Sequence, residues 1–381
     1  MTTPAKRIHG VWLFALAAMA TTTLLASASS ASAAGDPIAT GATDLHLKKG
    51  FARKISNLGA TVQPIGVGAV SGNKIALTVR DGSLNPLDVL GFLDTRGGFK
   101  LQLGRRGVPV TQLTVNTVKG AVYAKVAGAR MQIGSFAPPT FAREGFGANF
   151  KATKLTLTAK AVKRISNRLG LKGSKRLNPG RVLSNLYSTA QPETVTLLPQ
   201  GTAVLAANSS TFTKFAAKGM KAPQGITALA PAIKPTPASF QFPISGGVLA
   251  PDASEGTIET AGGVQILKEA EPFSPTMRLR NLFVDLTAKA ATAELEILPT
   301  PPFPGAAGRS SVVDVVLPSN SVVANPVART ISIQGAEARL QAVFATTLND
   351  VFNQPAPSPP PSSNFILGDP LGTFSITLQA R

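Results

Sequence analysis

The 381-residue chain contains no cysteine. This excludes disulfides, thiolate nucleophiles, cysteine-held metals and iron–sulfur clusters, and leaves apolar burial to hold the fold. Histidine is almost as scarce: of two residues, only His46 lies beyond the first 34 positions. A Ser–His–acid triad would have to be built on His46 alone, and no Gly-x-Ser-x-Gly segment between strand and helix is present. Tyrosine is limited to Tyr123 and Tyr187. Acidic residues number 19 against 38 Lys and Arg, a net charge of +19. The closely spaced carboxylates, Glu269 with Glu271 and Glu294 with Glu296, alternate along strands and so share one solvated face. A glycosidase dyad needs carboxylates converging from separate elements. No phosphate loop, dinucleotide fingerprint or calcium loop occurs. The residue inventory therefore reads as a protein that is not an enzyme.

Long apolar runs are also missing after the N-terminus. Lys6, Arg7 and His9 form a basic start, Val11 to Ala26 is almost wholly apolar or small, and Ala31-Ser32-Ala33 offers small residues for cleavage. This pattern predicts a signal peptide over 1–34 and a mature chain that is secreted or held at the cell surface. An uncleaved anchor is the competing reading, but the apolar core is short for a span of about 20 residues. Once the leader is removed, no transmembrane segment is expected. About 345 residues then suffice for two domains that each bury a core. The charge is uneven: residues 35–190 carry +18, and residues 191–381 carry −1.

What is present is a repeat at a spacing of 165 residues. Gly91 and the pair Gly97-Gly98 align with Gly256 and the pair Gly262-Gly263, and each pair opens an alternating apolar segment. A period this long means two tandem domains, here 35–200 (strongly basic) and 201–381 (near neutral). Each copy follows one order of elements. A short amphipathic stretch (51–58 or 212–218) precedes an alternating strand (74–79 or 239–244), and the glycine-bounded hairpin follows. Further alternation comes at 113–117 with 121–126 and at 282–286 with 291–297. Late in each copy a strand runs into a helix with apolar residues at helical spacing: Val162, Ile165 and Leu169, or Leu340, Phe344, Leu348 and Phe352. The segments 193–198 and 372–378 read as the closing strands, and Pro355 to Ser363 as an extended loop. The fold class is all-β and mainly antiparallel: two tandem sandwich or barrel-like domains, each with one or two short peripheral helices.

The second copy carries Phe240, Phe242, Pro243, Ile244, Gly246, Gly247, Leu249 and Pro251, then Gly256, Ile258, Gly262 and Gly263. This pattern resembles the HtaA haem-binding domain of secreted and surface proteins. The first copy keeps its second half and part of its first, so the resemblance covers most of 43–200 and 211–381. It implies an all-β surface protein that takes up haem through an axial ligand, a His just before the Gly pair or a Tyr near the domain start. The residue two before the pair is Thr95 in one copy and Thr260 in the other. Threonine does not ligate haem iron.

The candidate haem ligands are therefore Tyr123, Tyr187 and His46, each with a structural role as competing reading: a strand aromatic for the tyrosines, a polar strand residue for the histidine. Met131 and Met277 are soft donors that read better as core filling. The densest basic run spans 151–181, with ten Lys and Arg and no acid. Within it Lys160, Lys163, Arg164, Arg168, Lys172, Lys175 and Arg176 cover the polar side of the late helix and the loop after it, a field that attracts polyanions. For an exported chain the expected partners are anionic wall polymers or lipid headgroups. Nucleic acid is not expected, because stacking aromatics do not interleave with the charges. Two functions stay open: a non-catalytic binding protein of HtaA-like type, and a structural envelope protein that binds anionic wall polymers through its basic N-terminal domain.

Overall fold

The computed structural model describes residues 36–85, 87–270, 274–300, 304–353 and 361–381. The predicted signal peptide lies outside them, as does most of the proline-rich stretch, of which Pro361–Ser363 forms one 3₁₀ turn. The first half runs β1 (Asp36–Ile38), β2 (Thr40–Leu47), helix α1 (Lys49–Asn57), β3 (Ala60–Ile65), β4 (Ala69–Ser71) and β5 (Lys74–Leu84). It continues through β6 (Gly91–Arg96), β7 (Gly98–Leu103), β8 (Arg106–Asn116), β9 (Ala121–Val126), β10 (Ala129–Ser135), β11 (Thr140–Glu144), β12 (Gly147–Leu157), helix α2 (Ala159–Leu169) and β13 (Val182–Gln191).

The second half repeats the order: β14 (Val195–Ala207), α3 (Ser209–Ala217), β15 (Ile226–Leu229), β16 (Ile233–Thr236), β17 (Ser239–Leu249), β18 (Gly256–Thr260) and β19 (Gly263–Leu267). Then come β20 (Thr276–Asp285), β21 (Ala290–Ile297), β22 (Ala306–Val316), β23 (Val322–Asn325), β24 (Thr330–Leu340), α4 (Ala342–Phe352) and β25 (Pro370–Ala380).

The strand pairings close on themselves. In the first half the ring is β5–β2–β13–β12–β10–β9–β8–β6, with β6 bonded back to β5. In the second it is β17–β14–β25–β24–β22–β21–β20–β18, with β18 bonded back to β17. Each half is thus an eight-stranded antiparallel barrel, and closure removes the open edges that a sandwich leaves. Alternation along the strands sends Leu45, Ile75, Leu77, Leu93, Val115, Leu155 and Leu186 into the first barrel and Ile258, Val284, Ile331, Ile333, Phe374 and Ile376 into the second, all nearly inaccessible. Met131 and Met277 are buried in these cores.

The repeated glycine pair has one geometric cause in both barrels. Gly97 and Gly262 sit at φ +79° and +84° as the chain turns from β6 to β7 and from β18 to β19. The next glycine lies flat on the neighbouring strand, where a Cβ on Gly98 would overlap the Val110 carbonyl oxygen and one on Gly263 the Leu279 carbonyl oxygen. Only glycine satisfies the positive φ without strain and the close approach without a clash.

One strand assignment differs from the sequence reading. Residues 193–198 do not close the first barrel: Val195 pairs with Leu249 and Leu197 with Ala380, both in the second sheet. The strand that closes the first barrel is β13. Alternation identifies a strand but not its partner. The opening of β14 repeats the role of β1, which runs against the far end of β5.

Helices α1 and α2 cap the barrel end where β2 and β12 finish and β13 begins, as shown by the bonds Lys48 N to Leu183 O and Leu157 N to Arg181 O. Thr158 caps α2, its hydroxyl accepting from Ala161 N, and left-handed Gly170 ends it. Between the barrels, the β11–β12 turn places Phe146 in the second barrel's core at 2% exposure. Among the described residues no helix is long and apolar enough to cross a membrane.

Candidate functional site

At the position where the family resemblance calls for histidine, the barrels behave alike. Thr95 and Thr260 are buried. Thr95 Oγ1 donates to Leu113 O at 3.2 Å and Thr260 Oγ1 to Leu282 O at 3.1 Å. Both hydroxyls are committed to the neighbouring strand, so the residues beside the glycine pairs do not fit haem iron.

The chain's scarce aromatic donors meet elsewhere. On the outer wall of the first barrel Tyr187 (β13) lies opposite Asp44 (β2) on one side and Lys151 (β12) on the other. His46, two residues along β2, is diagonal to it, and the His46 and Tyr187 rings stand 4.7 Å apart at 53°. Lys151 Nζ lies 5.4 Å from the Tyr187 ring centroid. Asp44 is bonded to Lys74 at 2.7 Å. Tyr187 and Lys151 border a concavity of about 360 Å³ that Phe141 and Asn149 also line. The strand register thus joins two of the three predicted haem ligands and adds Lys151, which the sequence reading placed in a basic run without a role.

Tyr123 is not part of this cluster. It lies on β9, separated from β13 around the ring by β12 and β10, half-buried between Thr114 and Gln132. At the equivalent place in the second barrel Thr292 stands opposite Phe283 and Ser311, and there the outer wall forms the larger concavity, about 710 Å³, with Arg309 over the Phe283 ring. Glu294 is paired with Arg309 and Glu296 with Arg278 on this wall, which accounts for one carboxylate pair. Glu269 is paired with Lys221, and Glu271 lies outside the described residues. Among the described residues no three of His, Cys, Asp and Glu gather where a metal ion would fit.

The seven predicted polyanion residues fall into two kinds. Lys160, Lys163, Arg168, Lys172, Lys175 and Arg176 are exposed. Arg164 is half-buried: its Nε donates to Val126 O at 2.7 Å and its Nη2 to Ala127 O at 2.9 Å. Arg164 pins α2 to the β9–β10 turn and is held away from solvent anions, because its spacing places it on the flank of the helix that meets the barrel.

A further group was not visible in the sequence. Lys218 is 2% exposed and bonds Asn353 and Asn364, while Lys268, 8% exposed, donates to Phe352 O at 3.1 Å. They sit at the C-terminus of α4, where positive charge is favoured. Burial pushes the Lys218 amine down to about 8, with repulsion from Lys268 and then Lys214 adding to it. Burial also lowers Lys268.

No known family profile and no curated protein matches this chain. Solved structures do. The C-terminal domain of HtaA from Corynebacterium glutamicum aligns at 13% identity and TM-score 0.33, covering 41% of this chain and 98% of that one. The N-terminal domain of the same protein aligns at 16% identity and TM-score 0.34, covering 48% and 99%. The haem-binding protein HtaB from that organism aligns at 14% identity and TM-score 0.29, covering 49% and 95%. These are proteins of the kind that the repeated glycine and apolar pattern resembles.

Proposed function

We propose that this chain is an exported, HtaA-like binding protein without catalytic machinery, and that it takes haem at the Tyr187 face of the first barrel and not beside the glycine pairs. The observation that carries this reading is the pairing of the one histidine beyond the leader with one of only two tyrosines, 4.7 Å apart, at the edge of a concavity. When bound, haem supplies an iron with an axial position that a phenolate oxygen can fill. Tyr187 would be that ligand. His46 would orient the phenol and hold its proton, and Lys151 places a positive charge beside the ring to offset a phenolate. Phe141 adds apolar surface to the lining.

Titration of the full chain with hemin tests this. The expected outcome is a saturable Soret change at one haem per chain, abolished by Tyr187→Phe and weakened about tenfold or more by His46→Ala, as for a residue that orients a metal ligand. Tyr123→Phe should leave the titration unchanged. A Tyr187→Phe variant that binds hemin as the parent does would overturn the assignment.

A further inference from the structure

The basic run in the sequence is one part of a larger surface that the fold assembles. Helix α1 lies beside the α2 loop, and Lys54 Nζ donates to Ser174 O at 2.9 Å. A Cβ on Gly50 would stand 3.5 Å from an Arg181 guanidinium nitrogen, and one on Gly170 would run into the Arg106 guanidinium. Four segments far apart in the chain therefore meet at one barrel end: α1, the β7–β8 turn, α2, and the loop leading into β13. Stretches 45–60, 98–116 and 150–191, which supply that end, hold no Asp or Glu. Beyond the α2 group, the structure adds Lys48, Lys49, Arg53, Arg105, Arg106 and Arg181, all exposed. None of these, and none of the exposed α2 cluster, has an ion-pair partner among the described residues.

The same end of the second barrel is an internal control. There Lys214 is paired with Asp369 and Lys221 with Glu269, while Lys218 and Lys268 are buried. A bare basic barrel end is therefore not required by the fold. Its sister carries Asn208, Ser209 and Thr213 where α1 has Lys48, Lys49 and Arg53, and Val343, Thr346 and Val351 where α2 has Lys160, Lys163 and Arg168.

We propose that the helix-capped end of the first barrel is a docking surface for a linear, phosphate-rich polymer, read by α1 and the β7–β8 turn together with α2. A bare field of Lys and Arg on several elements matches closely spaced phosphates along a chain. A membrane surface fits less well, because no large apolar side chain is exposed on these segments to enter lipid. Single-stranded nucleic acid fits less well, because no phenylalanine, tyrosine or tryptophan is exposed on these segments for base stacking.

The test is binding of the full chain to sodium polyphosphate of defined length, followed by fluorescence anisotropy at two salt concentrations. One variant removes the newly joined charges (Lys49→Ala, Arg53→Ala, Arg105→Ala), a second the α2 charges (Lys160→Ala, Lys163→Ala, Arg168→Ala). A control removes equal charge elsewhere (Arg80→Ala, Arg96→Ala, Lys119→Ala). The first two should each lose at least about tenfold in affinity and flatten the salt dependence, with the control within about twofold. Thermal melting, expected to be unchanged, confirms folding of all three. If only the α2 set matters, the joint surface is wrong. Equal losses in all three mean that net charge alone drives binding, which overturns the proposal. Tighter binding to vesicles of phosphatidylglycerol, or to oligo-dT, than to polyphosphate would overturn the choice of partner.

Discussion

Lys218 occupies the place that Leu58 holds in the first barrel, each being the residue that ends the first helix of its half. Lys268 stands five residues after Gly263, as Leu103 stands five after Gly98. The second barrel has thus put two ammonium groups where the first uses leucine, and it houses them by hydrogen bonds to Asn353, Asn364 and the Phe352 carbonyl. The pH consequence follows from the sign of the shift. A lysine lowered from 10.5 to about 8 binds fewer protons folded than unfolded between those values. Its contribution to stability therefore rises with pH across that window. Lys218→Leu removes this dependence while leaving every other titrating group in place. We expect the gap between the urea midpoints of variant and parent to move steadily in the parent's favour from pH 7 to 10.5. A gap that stays constant would show that Lys218 binds its proton equally in the folded and unfolded chain, so that burial does not lower it.

At the scale of elements, α2 shows how a basic helix divides its charges between folding and solvent. Arg164 makes two bonds to backbone carbonyls, whereas Lys163 beside it points outward. Arg164→Ala should lower stability by about 2 kcal/mol in urea unfolding, as expected for losing charged hydrogen bonds that satisfy carbonyls at a turn. Lys163→Ala should change stability by less than about 0.5 kcal/mol. The reverse order would remove Arg164 from the fold. Much of the element order was legible beforehand because alternation and the 3.6-residue period are local: β5, β17 and α2 fall where the apolar spacing places them. Helix α4 does so from Phe344 onward, while Leu340, which shares that spacing, ends strand β24. The glycine pairs were legible because their cause is local sterics. Barrel closure was not, since it depends on β6 bonding both β5 and β8, a choice that no period encodes. Register was equally hidden, and register brings His46 diagonal to Tyr187 and leaves Tyr123 apart. The strand at 193–198 was visible while its sheet was not.

At the scale of the molecule, the barrels are joined by more than the covalent link between Gln191 and Val195. Phe146, on a turn of the first barrel, belongs by contact to the second barrel's core, and the guanidinium carbon of Arg329 lies 5.5 Å from the centroid of its ring. Arg329 also pairs with Asp36 of β1, 9% exposed at its side chain. Phe146 N donates to Pro251 O at 2.7 Å, and Gly145 beside it, at φ +56°, leaves no room for a Cβ against that carbonyl. A knob of this kind couples two cores, because withdrawing it opens a cavity in one barrel and exposes an aromatic on the other. Truncating a buried phenylalanine costs about 3 kcal/mol or more, which for barrels of this size is a shift of roughly 6–12 °C in melting temperature. Scanning calorimetry on the full chain should accordingly show one cooperative transition for the parent. Phe146→Ala should split it, with the second barrel melting first because the cavity is in its core. Hydrogen exchange can assign the early transition, with β17, β24 and β25 losing protection before β5 and β13. If the variant still melts in one step within about 2 °C of the parent, the barrels are coupled through other contacts, and Asp36 with Arg329 becomes the pair to break next.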